Sequence, residues 1–201
     1  MTHKPKILLF DLGGVIVPWV GMEALAGYSR ITREEVADRF AASEVSGAFE
    51  RGMASEAEFM LELGRMFDLP DTDTTALWNS WVLPPFPGTL TALADLKTRF
   101  TTACLSNTNA PHWAHLNTMF STDDTFHYAF ASHELHEAKP DAACYLKPIE
   151  MMGCAAEDVW FFDDTQANID AARALGMTAH HVDRTVGVIP LLRELALLPH
   201  P

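Results

Sequence analysis

Cysteine is scarce in this sequence of 201 residues, which contains three copies of it. Cys104, Cys144 and Cys154 are scattered along the chain and form no C-x-x-C pair. An odd and unclustered set of cysteines indicates no structural zinc site and is typical of a reducing compartment. We therefore expect a cytoplasmic protein.

Basic residues are also few. The chain has 14 lysines and arginines against 27 aspartates and glutamates, which gives a formal net charge of −13 at pH 7. Because nucleic acids and anionic membrane surfaces are polyanions, this balance disfavours both as partners. It does not exclude a small anionic metabolite, since such a ligand responds to the local field of one cleft.

Long hydrophobic runs are missing as well. The apolar stretch near the start of the chain is interrupted by Asp11 and is too short to span a membrane. The overall content of 48% hydrophobic and 20% charged residues is nevertheless typical of a folded globular protein. No long apolar stripe demands a partner, so we expect a monomer or a weak homodimer.

Strands and helices are predicted to alternate regularly after Pro87. This alternation indicates a doubly wound parallel sheet of the α/β class. Residues 18–86 instead show helical patterns, with capping-box sequences that begin at Thr32 and Ser55. The sequence therefore predicts an α/β core formed by residues 1–17 and 87–201, with a helical domain, residues 18–86, inserted after the first strand.

Polar side chains follow four of the predicted strands. In open α/β sheets the carboxyl ends of the strands are where ligands bind, so these residues are candidates for one site. The four segments are Asp11-Leu12-Gly13-Gly14 after Phe10, Ser106-Asn107 after Leu105, Lys139-Pro140 in the loop after Ser132, and Asp163-Asp164 after Phe162.

Taken in this order, the four segments resemble the four motifs of the haloacid dehalogenase-like (HAD) hydrolase superfamily, and the resemblance covers nearly the whole chain. It implies a Rossmann-like core in which the inserted helices form a small cap over the active site. It also implies that Asp11 is the nucleophile and that Lys139 pairs with it. Ser106 and the backbone N–H of Asn107 would donate hydrogen bonds to a phosphoryl group.

A magnesium ion is the expected cofactor, because a carboxylate nucleophile and a phosphate dianion repel each other without a cation. Mg²⁺ prefers hard oxygen ligands. Asp11, the backbone carbonyl of Gly13 and Asp164 suit this preference. We expect Asp163 to act as a second ligand or as an anchor of the metal-site loop.

Gly13 departs from the common family pattern, in which an aspartate two residues after the nucleophile protonates the leaving group. Glycine cannot transfer a proton. The Asp-x-Gly form resembles a subgroup that includes bacterial α-glucose-1-phosphate phosphatases. Phe49-Glu50-Arg51-Gly52, followed by Ser55 and Phe59, also resembles the caps of a sugar-phosphate phosphatase subgroup.

The resemblance thus predicts a Mg²⁺-dependent phosphomonoester hydrolase that acts on a small sugar phosphate through an aspartyl-phosphate intermediate. One alternative is a haloacid dehalogenase-type hydrolase, which needs no Mg²⁺ and typically has an aromatic residue where this chain has Gly13. The Asp163-Asp164 pair argues against this alternative. Another alternative is a catalytically silent HAD-like binding protein.

Overall fold

A parallel sheet runs through the centre of the computed structural model, which describes residues 4–69 and 74–200. Within these ranges the sheet has five strands in the order β3-β2-β1-β4-β5, and every neighbouring pair is parallel. The strands are β1 (Ile7–Phe10), β2 (Thr101–Ser106), β3 (Tyr128–Ala131), β4 (Val159–Asp163) and β5 (Thr178–His181).

Both faces of the sheet are buried, because the strands carry apolar residues at successive positions. Leu8 and Phe10 of β1 point into one hydrophobic cluster, and Ile7 and Leu9 point into another on the opposite face. Helices at residues 89–97, 110–119 and 189–194 contribute to the first cluster, whereas helices at residues 142–152 and 166–174 contribute to the second. This arrangement confirms the predicted doubly wound α/β fold.

The helices of this α/β part follow the strands in alternation, as the sequence pattern predicted. They are α6 (Thr89–Lys97), α7 (Ala110–Met119), α8 (Thr122–Thr125), α9 (Ser132–Leu135), α10 (Ala142–Met152), α11 (Gln166–Ala174) and α12 (Ile189–Glu194), with a 3-10 turn at Ala156–Asp158. Among the motif segments, three element boundaries differ from the prediction by one residue. Ser132 begins α9 instead of ending β3, and Ser106 and Asp163 end β2 and β4 instead of opening the following loops.

Helices also dominate the segment between β1 and α6. They are α1 (Gly21–Ser29), α2 (Arg33–Ala42), α3 (Glu44–Glu50), α4 (Glu56–Phe67) and α5 (Thr74–Asn79). Both predicted capping boxes form, with Thr32 ahead of α2 and Ser55 ahead of α4. The helices bury a hydrophobic cluster of their own, and Trp78 and Trp81 lie inside it. We call this unit the helical block.

The two connections between the helical block and the α/β part lie side by side. Trp19 and Val82 form an antiparallel bridge. On either side of this bridge, Val20 N–H donates to the carbonyl of Trp81 at 2.9 Å, and Leu83 N–H donates to the carbonyl of Pro18 at 3.0 Å. The block therefore leaves and rejoins the α/β part through one paired neck, a pairing that its helical sequence pattern did not predict.

A buried histidine links the helical block to α7. The His112 ring stacks on the Trp78 ring with their centroids 4.5 Å apart, and His112 Nε2 lies 3.1 Å from the Trp78 carbonyl oxygen. Burial lowers the pKa of His112 to about 4, so the ring is neutral at pH 7.

Among the described residues, no helix has the length and apolar character needed to cross a membrane.

Candidate active site

Asp11 lies at the carboxyl end of the central strand of the sheet. Its N–H continues the ladder by donating to the Phe162 carbonyl at 2.8 Å, and its side chain is largely buried. Since β2 and β4 flank β1, the residues that follow those strands lie on either side of Asp11. The sheet order therefore brings the predicted motifs together at one edge.

A tight loop follows Asp11 and shapes the floor of the site. Gly14 has φ = +74°, and a side chain built there would clash with the carboxylate of Asp164. Only glycine adopts this conformation and allows this approach at little cost. Gly13 differs, because a Cβ at that position would have Trp19 Cβ as its nearest neighbour at an ordinary 3.8 Å. The missing side chain at Gly13 is therefore not demanded by space.

Lys139 lies between two carboxylates in the interior. Its Nζ is 2.9 Å from Asp11 Oδ1 and 2.7 Å from Asp163 Oδ2, and its side chain is 1% exposed. Although burial opposes the charge, the two neighbouring carboxylates raise the pKa of Lys139 well above its usual range. The ammonium group therefore stays charged and holds both aspartates in place.

Asp163 is held by protein donors on both of its oxygens. In addition to Lys139, Asn168 Nδ2 lies 3.0 Å from each oxygen, and Thr165 N–H donates to Oδ1 at 2.8 Å. The side chain has no exposed surface. These contacts favour the anchoring role for Asp163 among the two that the sequence left open.

Asp164 faces the cleft instead. Its side chain retains 11% exposure and lies against the Gly14 backbone. Arg184, in the loop after β5, places Nε 3.6 Å from Asp164 Oδ2. Arg184 is not part of the four predicted motifs, although its position just after the last strand follows the same pattern.

Three carboxylates in this site could hold a metal ion. Asp11, Asp163 and Asp164 each offer one oxygen, and these oxygens lie within 4.8 Å of one another. Burial is the main reason that the pKa of Asp11 rises, to about 7, and the two other aspartates add to it while Lys139 opposes it. An all-oxygen set of carboxylates fits a hard cation such as Mg²⁺, and a bound cation would relieve their mutual repulsion.

Ser106 and Asn107 complete the predicted set. Ser106 ends β2 and is buried, and Asn107 follows it directly. The Asn107 side chain makes two hydrogen bonds of 2.8 Å with the backbone of Lys139, one as donor and one as acceptor. This pair of bonds fixes the loop that carries Lys139 beside the end of β2. All the predicted site residues thus converge at this edge of the sheet.

The helical block contacts the α/β part near the same edge, in a way that the sequence did not predict. Ser132 Oγ lies 2.7 Å from the Glu50 carbonyl oxygen and 2.9 Å from the Thr108 carbonyl oxygen, and it accepts a hydrogen bond from Thr108 N–H. Ser132 therefore joins the end of α3 to the loop after β2. Such a three-way contact depends on tertiary packing, so no local pattern announces it.

Comparisons with known proteins agree with this geometry. The family of haloacid dehalogenase-like hydrolases matches residues 5–176. The chain is 26% identical over 193 residues to a sesquiterpene phosphatase of Aspergillus oryzae, covering 94% of this chain and 96% of the relative.

Solved structures of HAD family enzymes are also similar to this chain. A HAD family enzyme of Bacteroides thetaiotaomicron, in complex with magnesium and inorganic phosphate, is 26% identical, with a TM-score of 0.75 over 88% of this chain and 93% of that one. Its magnesium complex gives 25% identity and a TM-score of 0.80 over 95% and 100% of the chains. The prediction of a magnesium cofactor agrees with these complexes and with the carboxylate cluster.

The fold is shared more widely. An L-2-haloacid dehalogenase of Xanthobacter autotrophicus, with chloropropionic acid covalently bound, matches with a TM-score of 0.66 over 98% of this chain and 85% of that one. At 17% identity this likeness shows the fold alone. Because the family match spans most of the sequence and the predicted motif residues meet at one edge of the sheet, the chain belongs to the haloacid dehalogenase-like hydrolases.

Proposed function

We propose that the protein is a Mg²⁺-dependent phosphomonoesterase that acts on a small sugar phosphate through an aspartyl-phosphate intermediate. Asp11 is the nucleophile, and the helical block, with boundaries near residues 18 and 86, is the cap. The observation that carries this proposal is the position of Asp11, which contacts the Lys139 ammonium group and shares a carboxylate cluster with Asp163 and Asp164. The magnesium and phosphate bound to the Bacteroides relative support it.

In the proposed metal site, Asp11 and Asp164 supply carboxylate oxygens and Gly13 supplies its backbone carbonyl. A bound Mg²⁺ would neutralise charge on the phosphoryl oxygens. Asp163 holds the loop that carries Asp164 in position, because Lys139 and Asn168 bind its two oxygens.

In the first step, a carboxylate oxygen of Asp11 attacks phosphorus while the bond to the leaving alcohol breaks on the opposite side. The Lys139 ammonium group, 2.9 Å from Asp11, fixes the nucleophile and neutralises negative charge on the transferring group. The Ser106 hydroxyl and the Asn107 N–H donate hydrogen bonds to phosphoryl oxygens. Water then cleaves the aspartyl-phosphate, which releases phosphate and restores Asp11.

A sugar phosphate is the substrate class that the resemblance of the first motif and of the cap segment supports. An anomeric alcohol leaves more readily than an ordinary alkoxide, so it places a smaller demand on proton transfer at a site with Gly13. The Aspergillus relative is a sesquiterpene phosphatase, and an apolar alcohol phosphate is therefore the competing substrate.

The test is phosphate release from a panel of phosphomonoesters, with Mg²⁺ and with EDTA. The panel contains α-glucose 1-phosphate, glucose 6-phosphate, farnesyl phosphate and 4-nitrophenyl phosphate. We expect metal-dependent turnover that falls about 10³-fold or more in Asp11→Asn, because loss of a nucleophile removes the covalent route. The matched control is Asp38→Asn, which changes an exposed aspartate on α2 and should retain full activity.

Other outcomes separate the alternatives. Full turnover by Asp11→Asn would refute the proposed nucleophile. Faster release from farnesyl phosphate than from both sugar phosphates would replace the substrate class and leave the mechanism intact. Chloride release from 2-chloropropionate in the presence of EDTA would favour a dehalogenase. Mg²⁺-dependent phosphate binding without turnover of any ester would favour a binding protein.

A further inference from the structure

A proton-transfer group is missing from the floor of the site. The leaving alcohol needs a proton, and the water that cleaves the aspartyl-phosphate must lose one. Gly13 can do neither, although the structure has room for a side chain at that position. The acid and base must therefore come from another element or be absent.

We propose that Glu50, at the carboxyl end of α3 in the helical block, is the catalytic acid and base of this enzyme. This inference rests on the proposed phosphatase function. It assigns to a cap residue the proton transfer that the loop after β1 cannot perform, so that ester cleavage depends on the cap being closed.

Contacts on three successive residues hold the end of α3 against the α/β part. The Glu50 carbonyl lies 2.7 Å from Ser132 Oγ, and the Arg51 guanidinium group pairs with Asp141 at 2.7 Å. The Gly52 backbone has φ = +67° and packs so closely on the His133 carbonyl that any side chain there would clash. The segment is thus fixed in position, as a proton donor must be.

This placement brings the Glu50 side chain to the phosphoryl-binding residues. Its carboxyl group interacts with the side-chain amide of Asn107 and is attracted electrostatically to the ammonium group of Lys139. Asn107 in turn bonds twice to the Lys139 backbone. Glu50 therefore lies beside the residues predicted to bind the phosphoryl group, and it comes from the cap, whereas Asp11 comes from the end of β1. An in-line displacement puts the leaving oxygen on the side of phosphorus opposite Asp11, where a residue of the cap can reach it.

The surroundings of Glu50 suit a group that must gain and lose a proton. Burial raises its pKa above the ordinary range for a glutamate, whereas the cations of Arg51 and Lys139 and the Asn107 amide oppose the rise. Asp141 adds to the rise from the loop before α10. Two nearby histidines are already engaged: His136 Nδ1 lies 2.9 Å from the Arg51 carbonyl oxygen, and the neutral His112 ring is stacked on Trp78.

The proposed proton movements balance over one turnover. As Asp11 attacks and the phosphorus–oxygen ester bond breaks, the electron pair of that bond moves to the leaving oxygen, which takes the proton from the Glu50 carboxylic acid. The Glu50 carboxylate then takes a proton from the attacking water, whose oxygen bonds to phosphorus. The bond from phosphorus to Asp11 breaks, which restores the Asp11 carboxylate and the protonated Glu50.

The test compares two leaving groups in the full-length Glu50→Gln variant. The sugar alkoxide needs a proton to leave, whereas 4-nitrophenolate is stable without one. The value of kcat/KM covers steps only through ester cleavage, so it isolates the acid role. We expect kcat/KM for glucose 6-phosphate, whose leaving group is an ordinary alkoxide, to fall about 10²-fold or more, that for α-glucose 1-phosphate to fall less, and that for 4-nitrophenyl phosphate to change less than about threefold. In the wild type, kcat/KM for the sugar ester should fall as the pH rises and Glu50 loses its proton. This fall should be absent in Glu50→Gln.

Glu44→Gln is the matched control, because it changes an exposed glutamate on the same helix. The thermal midpoint of each variant shows whether the fold is retained. An equal fall for both esters in a folded Glu50→Gln protein would make Glu50 a structural residue and overturn the assignment. Unchanged kcat/KM for both esters would also overturn it. If the wild-type protein cleaves neither ester, the proposed phosphatase function fails first.

Discussion

Replacing Lys139 by methionine removes the ammonium group that lies between two buried carboxylates while preserving most of the side-chain volume. The lost contacts are those of 2.9 Å to Asp11 and 2.7 Å to Asp163. Removal of one partner from a buried ion pair leaves uncompensated charge and costs about 3–5 kcal/mol. We expect Lys139→Met to lower the free energy of unfolding by this amount at pH 8, measured by urea unfolding in EDTA.

The loss should shrink as the pH falls. Burial already raises the pKa of Asp11 to about 7, and loss of the opposing lysine raises it further. The folded variant then binds more protons than the unfolded chain, so its stability decreases as the pH rises. Lys139→Met should accordingly be more stable at pH 5 than at pH 8, relative to wild type.

Lys147 provides a matched control on the surface. Its Nζ lies 2.9 Å from Glu137 Oε1, but the lysine side chain is 44% exposed. Exposed pairs contribute about 1 kcal/mol or less, so Lys147→Met should change stability only slightly. Equal stabilities of Lys139→Met and Lys147→Met at pH 8 would refute the view that Lys139 neutralises the buried carboxylates.

Three further changes test other parts of the structure. Gly14→Ala should weaken Mg²⁺ binding by about 10-fold or more in isothermal titration calorimetry, because the methyl group displaces Asp164; unchanged affinity would remove Asp164 from the metal site. His112, whose pKa lies near 4 in the fold, contributes stability that is present above pH 6.5 and is lost as the pH falls towards 4. His112→Phe keeps the stacking on Trp78, so the fall in its free energy of unfolding between pH 7 and pH 4.5, measured with urea, should be about 2 kcal/mol smaller than in wild type; an equal fall in the two proteins would contradict a neutral buried ring. Ser55→Ala removes the cap of α4 and should cost about 1 kcal/mol by thermal unfolding, with Ser55→Thr nearly neutral; an unaltered midpoint for Ser55→Ala would mean that the cap contributes little.

The sequence was most informative where function and strand geometry coincide. Asp11, Lys139 and Asp163 could be predicted to meet, because each follows or ends a strand of a parallel sheet and such ends share one edge. Helix starts such as Ser55 were predictable too, since a capping box is a local pattern.

What the sequence left open depends on contacts between distant elements. The ion pair of Asp163 with Lys139, 24 residues away in the chain, distinguishes Asp163 from the adjacent Asp164, although the two aspartates are equivalent in the sequence. The position of Glu50 beside Asn107 arises from packing of α3 against the loop after β2 and against α9. Such pairings are set by the tertiary fold, and no residue spacing within either partner encodes them.

The paired neck at Trp19 and Val82 determines how the helical block could be exchanged by engineering. The two chain segments of the neck are hydrogen-bonded to each other. The whole helical block therefore replaces what could be a single surface loop between β1 and α6. Loop length adds little to the entropy of closure, so a block of another size could be exchanged at this neck without disturbing strand order. Such an exchange would keep the Asp11 edge of the sheet and replace the block that carries Glu50, so it would separate the contributions proposed for the two parts.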